Sequence, residues 1–366
     1  MSIYIKEPEI KPQQIESFRS LVSLWIEKKA QIALIIAQID PDGVACAKLM
    51  RAILEHLGME VAGIFYAGTV GHRQNHKIFD RFNLMSEIMK IEEMPEGCLQ
   101  MLVDSSKIPD TRLANTKFCL EHFVGFIDHH HTNGKVPDKA PREHFLWNAP
   151  TVAATTLAWI LAKKLEVPID MTLATLAAIG IYTDSNRLAS EFVTKQDIDA
   201  YAQAREVGNT DLFSKCCNYR LTKRCRLILA EVLTNCEDVE EYQISHPSSH
   251  LTEEDGDDIS IYADHLHKYE GTHTTIVWGL CGSEIRYSIR SNGEGGNVND
   301  VLHRLFNKTT GGTKQGAGGG RFRLPEQIAP LEESSVNFIT FFSSHLLQKL
   351  IVHAGVTNAE GVIKKP

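Results

Sequence analysis

The sequence predicts an α/β protein. An N-terminal, doubly wound, mostly parallel sheet domain is followed by a helical connector and a smaller C-terminal α/β domain, with a cleft between the two domains. Three observations carry this expectation. Short apolar runs alternate with amphipathic stretches from residue 11 to about 195, the pattern of parallel strands joined by crossing helices. Four of those runs end in aspartate. The chain has 366 residues, and single cores stop growing at roughly 250–300 residues. The expected divisions are a catalytic-type domain at 1–195, the connector at 196–240, a second domain at 241–330 and a helical tail at 331–366.

The elements follow in order. Residues 11–30 place Ile15, Phe18, Leu21, Val22, Trp25 and Ile26 at helical spacing. Strands are predicted at 31–39, 60–67, 98–104 and 123–128, and helices at 44–57 and 151–167. The run "TLATLAAIGIYTD", ending at Asp184, reads as one more strand-like segment, and 195–237 reads as helices. The acidic run "EEDGDD" at 253–258 lacks the spacing and distal glutamate of a calcium loop and reads as solvated loop. After it "TTIVWGLCG" and "EIRYSIRSN" read as paired strands, "NVNDVLHRLFNK" as a helix and "GGTKQGAGGGRFRLP" as a glycine-rich loop. The tail reads as a docked or dimerising helix, so a homodimer is a possible assembly.

Composition narrows the class. Hydrophobic content of 43% and charged content of 23% are ordinary for a soluble globular chain. No apolar stretch approaches the roughly 20 residues of a membrane span, and the N-terminus lacks a signal-peptide core. The eight cysteines are scattered without a C-x-x-C pair, which argues for reduced thiols in a cytoplasm and against zinc. A net charge of −8 disfavours coating of long duplex DNA. Residues 265–325 nevertheless hold eight Lys/Arg against four Asp/Glu, a local surplus suited to a small anionic ligand.

Asp40 follows "ALIIAQI", Asp104 follows "CLQMLV", Asp128 follows "FVGFI" and Asp184 follows "LAAIGIYT"; His129, His130 and His131 continue the third run. In an open parallel sheet the carboxyl ends of the strands share one edge, where ligands bind. Carboxylates gathered there raise one another's pKa unless cations compensate. Aspartate oxygens with an imidazole nitrogen suit Mn²⁺, with Mg²⁺ or Co²⁺ as alternatives. Four acids and a histidine suffice for two ions about 3.5–4 Å apart, an arrangement that activates water and neutralises a phosphoryl group. Pro41 and Gly43 would then set the angle at which Asp40 and Asp42 face the metals.

"IDPDG", "VDSS", "DHH" and "GIYTD", in this order, resemble the four motifs of the DHH phosphoesterase superfamily, and "SIRSN…NVND…GAGGGR" resembles its associated C-terminal domain. "DHHHTN" and "GIYTD" are most similar to the nanoRNase/pAp-phosphatase (oligoribonuclease) branch. The resemblance spans roughly residues 30–325. It implies metal ligation by Asp40, Asp42, Asp104, His129 and Asp184, with Asp104 bridging. Asp128 would orient the histidine pair, and His130 would contact the scissile phosphate or leaving group. Two departures stand out. Gln38 and Val44 occupy positions where the compact branch has His and Asp, which implies weaker binding at one metal position; Arg321 stands where the branch has a histidine after its glycines.

The resulting expectation is hydrolysis of a phosphate ester in a short oligoribonucleotide or small nucleotide such as pAp. Arg290, Ser291, Asn299, Arg321 and the backbone of Gly318, Gly319 and Gly320 would hold the substrate. Alternatives are the same chemistry on a cyclic dinucleotide, polyphosphate or single-stranded DNA, or a catalytically idle nucleotide-binding regulatory protein.

Overall fold

The computed structural model describes residues 2–108, 110–130, 143–293, 298–306, 310–314, 316–324 and 335–354. The chain divides into two compact units, Met1–Tyr219 and Arg220–Pro366.

The first unit runs β1 (Ser2–Ile5), α1 (Pro12–Glu27), β2 (Gln31–Ile36), α2 (Pro41–His56), β3 (Glu60–Tyr66), α3 (Arg73–Phe82), β4 (Met89–Lys90), β5 (Leu99–Val103), β6 (Phe123–Asp128), β7 (His144–Asn148), α4 (Ala154–Lys164), α5 (Met171–Asp184), α6 (Lys195–Val207) and α7 (Thr210–Cys217). Its seven strands form one sheet in the order β1-β7-β6-β5-β2-β3-β4, and every pairing is parallel. The α/β class is therefore as expected. Alternation along β2 sorts the two faces. Ile32, Leu34 and Ile36 join the α-helices in one large core, which holds Phe18, Trp25, Leu49, Ile53, Leu157 and Ile179. Ala33, Ile35 and Ala37 join a smaller core on the other face with Phe65, Ile91, Met94, Leu113 and Phe126. The chain crosses both faces, but 3₁₀ turns such as Ile91–Glu93 and Thr111–Leu113 close the second one. β1 and β7 were not predicted, and both belong to this sheet.

One expectation fails here. The run ending at Asp184 is a 14-residue helix, α5, and is not a strand. Its composition explains the misreading: Ala174 through Ile181 are buried all round, so no polar stripe reveals the helical period. Its length and alanine content decide for helix over strand.

The second unit runs α8 (Lys223–Thr234), β8 (Glu237–Val239), β9 (Tyr242–Ser245), α9 (Glu253–Asp257), α10 (Ile259–Leu266), β10 (Thr274–Cys281), β11 (Glu284–Ser291), α11 (Val298–Phe306), β12 (Thr310–Lys314), β13 (Ala317–Arg323) and α12 (Ser335–His353). Its six strands are ordered β12-β13-β11-β10-β9-β8. The residues expected as a connector fall on both sides of the division, α6 and α7 in the first unit and α8 in the second. The tail helix is part of the second core through Ile339, Leu346 and Leu350. The acidic run is not a loop. It forms the short helix α9, capped by Thr252, whose Asp255 is buried and paired with Arg224. Among the described residues no helix is long and apolar enough to cross a membrane.

Candidate metal centre

The turn after β2 is a helix start. Asp40 is the N-cap of α2: its Oδ1 accepts the Gly43 N–H at 2.9 Å, and Pro41 supplies a preset φ in the first turn. Gly43 is required by space, because a Cβ there would lie 2.9 Å from Ile36 Cγ2. The same point is 3.5 Å from both Asp40 Oδ1 and Asp104 Oδ2, so these carboxylates flank one small gap between β2 and β5.

Asp42 follows in the first turn of α2 and is 1% exposed. Its carboxylate also caps a second helix. Oδ2 accepts the Ala154 N–H at 2.8 Å and Oδ1 the Thr155 N–H at 3.0 Å, at the start of α4, whose own N-cap residue Ala153 has no side-chain acceptor. Two helix N-termini thus favour its charge. Burial outweighs them: with the charges of Asp104 and Asp184, it pushes the Asp42 carboxyl up to about 7, while His129 and Thr155 pull the other way.

Asp104 directly follows β5 with φ of 55°, a left-handed conformation disfavoured for a non-glycine residue. Its N–H still joins the sheet, donating to Ile127 O at 2.9 Å. This turns the carboxylate away from the strand path, and the buried Oδ1 accepts no hydrogen bond.

β6 delivers the histidines. Asp128 is fully buried, and its Oδ1 accepts the N–H groups of His129 (2.9 Å) and His130 (3.2 Å) and faces His130 Nδ1 at 2.7 Å. Its Oδ2 accepts the Ser106 hydroxyl at 2.5 Å. Burial would raise the Asp128 carboxyl, but these contacts hold it below the usual carboxylate range; His130 is raised in turn by Asp128 and Asp104 against its own burial. His129 Nδ1 meets Thr151 O at 3.2 Å, which turns Nε2 inward. Nε2 then lies 3.2 Å from Asp184 Oδ2, 3.3 Å from Asp104 Oδ1 and 3.8 Å from Asp42 Oδ2. His130 Nδ1 is 3.6 Å from Asp104 Oδ1.

Asp184 arrives at the last residue of α5, where the helix dipole opposes a carboxylate. Gly180 permits the approach: a Cβ there would meet Thr155 Oγ1 at 2.9 Å, Ala45 Cβ at 3.0 Å and Pro41 O at 3.2 Å. Three left-handed residues, Asn186, Arg187 and Leu188, turn the chain immediately afterwards.

Two donor groups emerge, Asp42/His129/Asp184 and Asp104/His129/His130, each with ligand atoms within 4.8 Å of one another. The donor set fits a divalent cation. Oxygens and a nitrogen about 3 Å apart are what adjacent positions around a cation with bonds of about 2.1 Å require, and a buried carboxylate oxygen without a donor otherwise has a large desolvation penalty. His130 joins the second group, a ligand position not expected for it. Asp40 belongs to neither group, and His131 lies outside the described residues.

Sequence reasoning missed the supports: Ser106, Asn148, Thr151 and Thr155. Asn148 Nδ2 donates to Ser106 Oγ and to His130 O, both at 3.0 Å. Only Ser106 had a signal, since it follows Asp104 within "VDSS"; a main-chain acceptor such as Thr151 O leaves none.

The second unit does not assemble the substrate set as expected. Gly318, Gly319 and Gly320 are in the strand β13, between β11 and β12, opposite Ile289, Ser288 and Tyr287 on one side and Thr313, Gly312 and Gly311 on the other. Their backbone groups serve the two ladders, so the glycine run is not a phosphate-cradling loop. Arg290 donates to Asp264 Oδ1 (2.5 Å), Ser288 Oγ (2.8 Å), Ile289 O (3.0 Å) and Ser260 O (3.4 Å), contacts internal to the unit. Ser291 is buried; it accepts the Thr274 hydroxyl at 3.2 Å and the Gly293 N–H at 3.2 Å. Asn299 is exposed in the first turn of α11. Arg321 keeps a half-exposed guanidinium, with Nη1 3.7 Å from Glu284 Oε2.

No family model matches the chain. The uncharacterized protein MJ1633 of Methanocaldococcus jannaschii is 26% identical over 307 residues, covering 81% of this chain and 59% of that protein, so the chain spans little more than half of its relative's length. Among solved structures, an exopolyphosphatase-related protein from Bacteroides fragilis superposes with a TM-score of 0.62 at 14% identity, covering 92% of this chain and 98% of that one. A putative family II inorganic pyrophosphatase from Methanococcus jannaschii covers 84% of this chain and 99% of its own at 16% identity, with a TM-score of 0.43, too loose an overlap to bear on this chain. The first overlap shows a shared α/β fold.

Proposed function

We propose that this chain is a divalent-metal-dependent phosphoesterase of the DHH type, acting on phosphate esters of short nucleotides. The convergence of Asp42, Asp104 and Asp184 oxygens on His129 Nε2 within 3.2–3.8 Å carries the reading. Asp42, Asp104, His129 and Asp184 would hold the cation or cations, with Asp40 across the Gly43 gap from Asp104. Bound there, divalent ions would neutralise phosphoryl oxygens and acidify a water. The chain's own residues do the rest. Asp128 and Thr151 fix the two imidazoles, and His130, about a third exposed and raised in pKa, faces outward as a proton donor to a leaving oxygen.

The test is turnover of bis-p-nitrophenyl phosphate, pAp, a dinucleotide and polyphosphate by chelated protein reloaded with Mn²⁺, Mg²⁺ or Co²⁺. Expected are metal-dependent hydrolysis and a preference for the nucleotides. Undiminished turnover in EDTA overturns the reading, and preference for polyphosphate moves the substrate class. One observation favours a second reading, a nucleotide-binding protein without turnover: Gln38 Oε1 accepts Arg112 Nη1 at 3.2 Å and so faces a guanidinium. Nucleotide binding with no hydrolysis of any of the four substrates selects it.

A further inference from the structure

Arg112 is in the 3₁₀ turn Thr111–Leu113, on the segment between β5 and β6. Its guanidinium is fixed along one edge. Nε donates to Asp110 Oδ1 at 3.0 Å and Oδ2 at 3.2 Å, Nη2 donates to Asp110 Oδ2 at 2.6 Å, and Nη1 donates to Gln38 Oε1 at 3.2 Å. Asp110 is itself held: it is 5% exposed, caps the turn through the Arg112 N–H at 2.8 Å, and its Oδ2 faces the Ser105 hydroxyl at 3.4 Å. Ser105 is the neighbour of Asp104, and Gln38 is two residues before Asp40. Arg112 therefore ties the tip of β2 to the tip of β5 at the gap flanked by Asp40 and Asp104.

A surface ion pair would account for Asp110, but not for the whole arrangement. The Arg112 side chain stays 41% exposed while its carboxylate partner is 2% exposed. These contacts engage one N–H each on Nε, Nη2 and Nη1, so two of the guanidinium's five N–H bonds have no acceptor among the described residues. A planar fork with a rigid back and an open front is the geometry that recognises phosphate oxygens. It is also the guanidinium beside an otherwise anionic cluster, and both Asp40 and Asp104 act on its charge.

Resting on the reading that this cluster receives a phosphate, we infer that Arg112 is a phosphate-binding residue of the site: its open guanidinium edge takes a non-bridging oxygen of the bound group. Gln38 and Asp110 are its positioning residues. The role falls on the side of the site where Gln38, a neutral residue, stands in place of an anionic or imidazole ligand.

The experiment is calorimetric titration of inorganic phosphate into Mn²⁺-loaded protein, with Mn²⁺ affinity and thermal melting measured on the same samples. Arg112→Ala should weaken phosphate binding about tenfold or more, the size of a lost charge-assisted hydrogen bond. Arg112→Lys, which keeps the charge but not the fork, should fall between. Mn²⁺ affinity should stay within about threefold in both, since a guanidinium bonds no cation. Unchanged phosphate affinity in the variants overturns the inference. So does a parallel loss of Mn²⁺ affinity, which would make Arg112 a support for Asp40 and Asp104, and so does wild-type protein that binds no phosphate. If Arg112→Ala fails to fold because Asp110 is left unpaired, the Arg112→Lys titration decides alone. Phosphate binding that depends on Arg112 without ester hydrolysis would sink the proposed enzyme and keep this inference; hydrolysis with an unchanged Arg112→Lys titration would do the reverse.

Discussion

The two units treat their charged residues in opposite ways. In the first, Asp42, Asp104 and Asp184 each place an oxygen 3.2–3.8 Å from His129 Nε2, and Asp104 Oδ1 is buried without a donor. In the second, charges are matched inside the fold: Arg290 on Asp264, Arg224 on Asp255, and Arg286 on Glu253 and Asp257. Pairing of the second kind stabilises a domain. A cluster of the first kind destabilises one until a cation arrives, and such strain collects where function is. The contrast separates a site from a scaffold without reference to any relative.

The sharpest way to break that contrast is Asp104→Asn. Activity should fall by about 10³-fold or more, because an oxygen donor of the proposed cation site, 3.3 Å from the His129 Nε2 that both donor groups share, loses its charge. Metal-free stability should rise, because the variant removes like-charge repulsion and asparagine tolerates φ of 55°. Assays of turnover and thermal melts in EDTA check both halves. A loss of activity together with a fall in melting temperature would assign Asp104 to the scaffold.

The next test uses pH. Asp42 has a folded pKa raised to about 7, above its unfolded value, so its contribution is fully present below about pH 4 and is lost as pH rises through 7. Asp255 is the reverse: burial would raise it, but Arg224 and Thr252 hold it low, so its contribution is present above about pH 4 and is lost as pH falls through the depressed value. In EDTA, raising pH from 5 to 8 should therefore destabilise the first unit around Asp42, where α2 and α4 begin, through its burial beside Asp104 and Asp184, and leave α9 unaffected. Site-resolved hydrogen exchange reads this, after correction for intrinsic rates. Mn²⁺ at pH 8 should restore protection at α4 by on the order of 2 kcal/mol. Equal behaviour of the two segments would erase the distinction.

These residues also show what a one-dimensional reading can see. Asp40, Asp104 and Asp128 were legible because a parallel sheet sends every carboxyl-terminal strand end to one edge, so an apolar run ending in aspartate already states a position. Asp184 was placed at the site for a wrong reason, on a supposed strand; a helix buried on all sides has no polar face to disclose its period. Gly318–Gly320 misled differently. Glycine fits a loop and a crowded strand equally, and only the pairing partners of β13 distinguish them. Arg112 was invisible because its importance depends on Gln38 and Asp110 meeting it in space, 74 residues away in the first case.

The smallest effects come from the basic residues of the second unit, and they refine the contrast more than they threaten it. Arg290→Ala removes a partly exposed ion pair and hydrogen bonds to Ser288 and Ile289, so it should cost about 1 kcal/mol of stability and leave KM for a dinucleotide within about threefold. Arg321→Ala should cost less still. Its guanidinium is 55% exposed and its Nη1 lies 3.7 Å from Glu284 Oε2, so stability should be unchanged within about 0.5 kcal/mol. Denaturant titration of the two variants separates them. A loss at Arg321 equal to that at Arg290 would mean that pairing inside the second unit does not follow the burial of its charges, and the contrast with the first unit would lose that half of its basis.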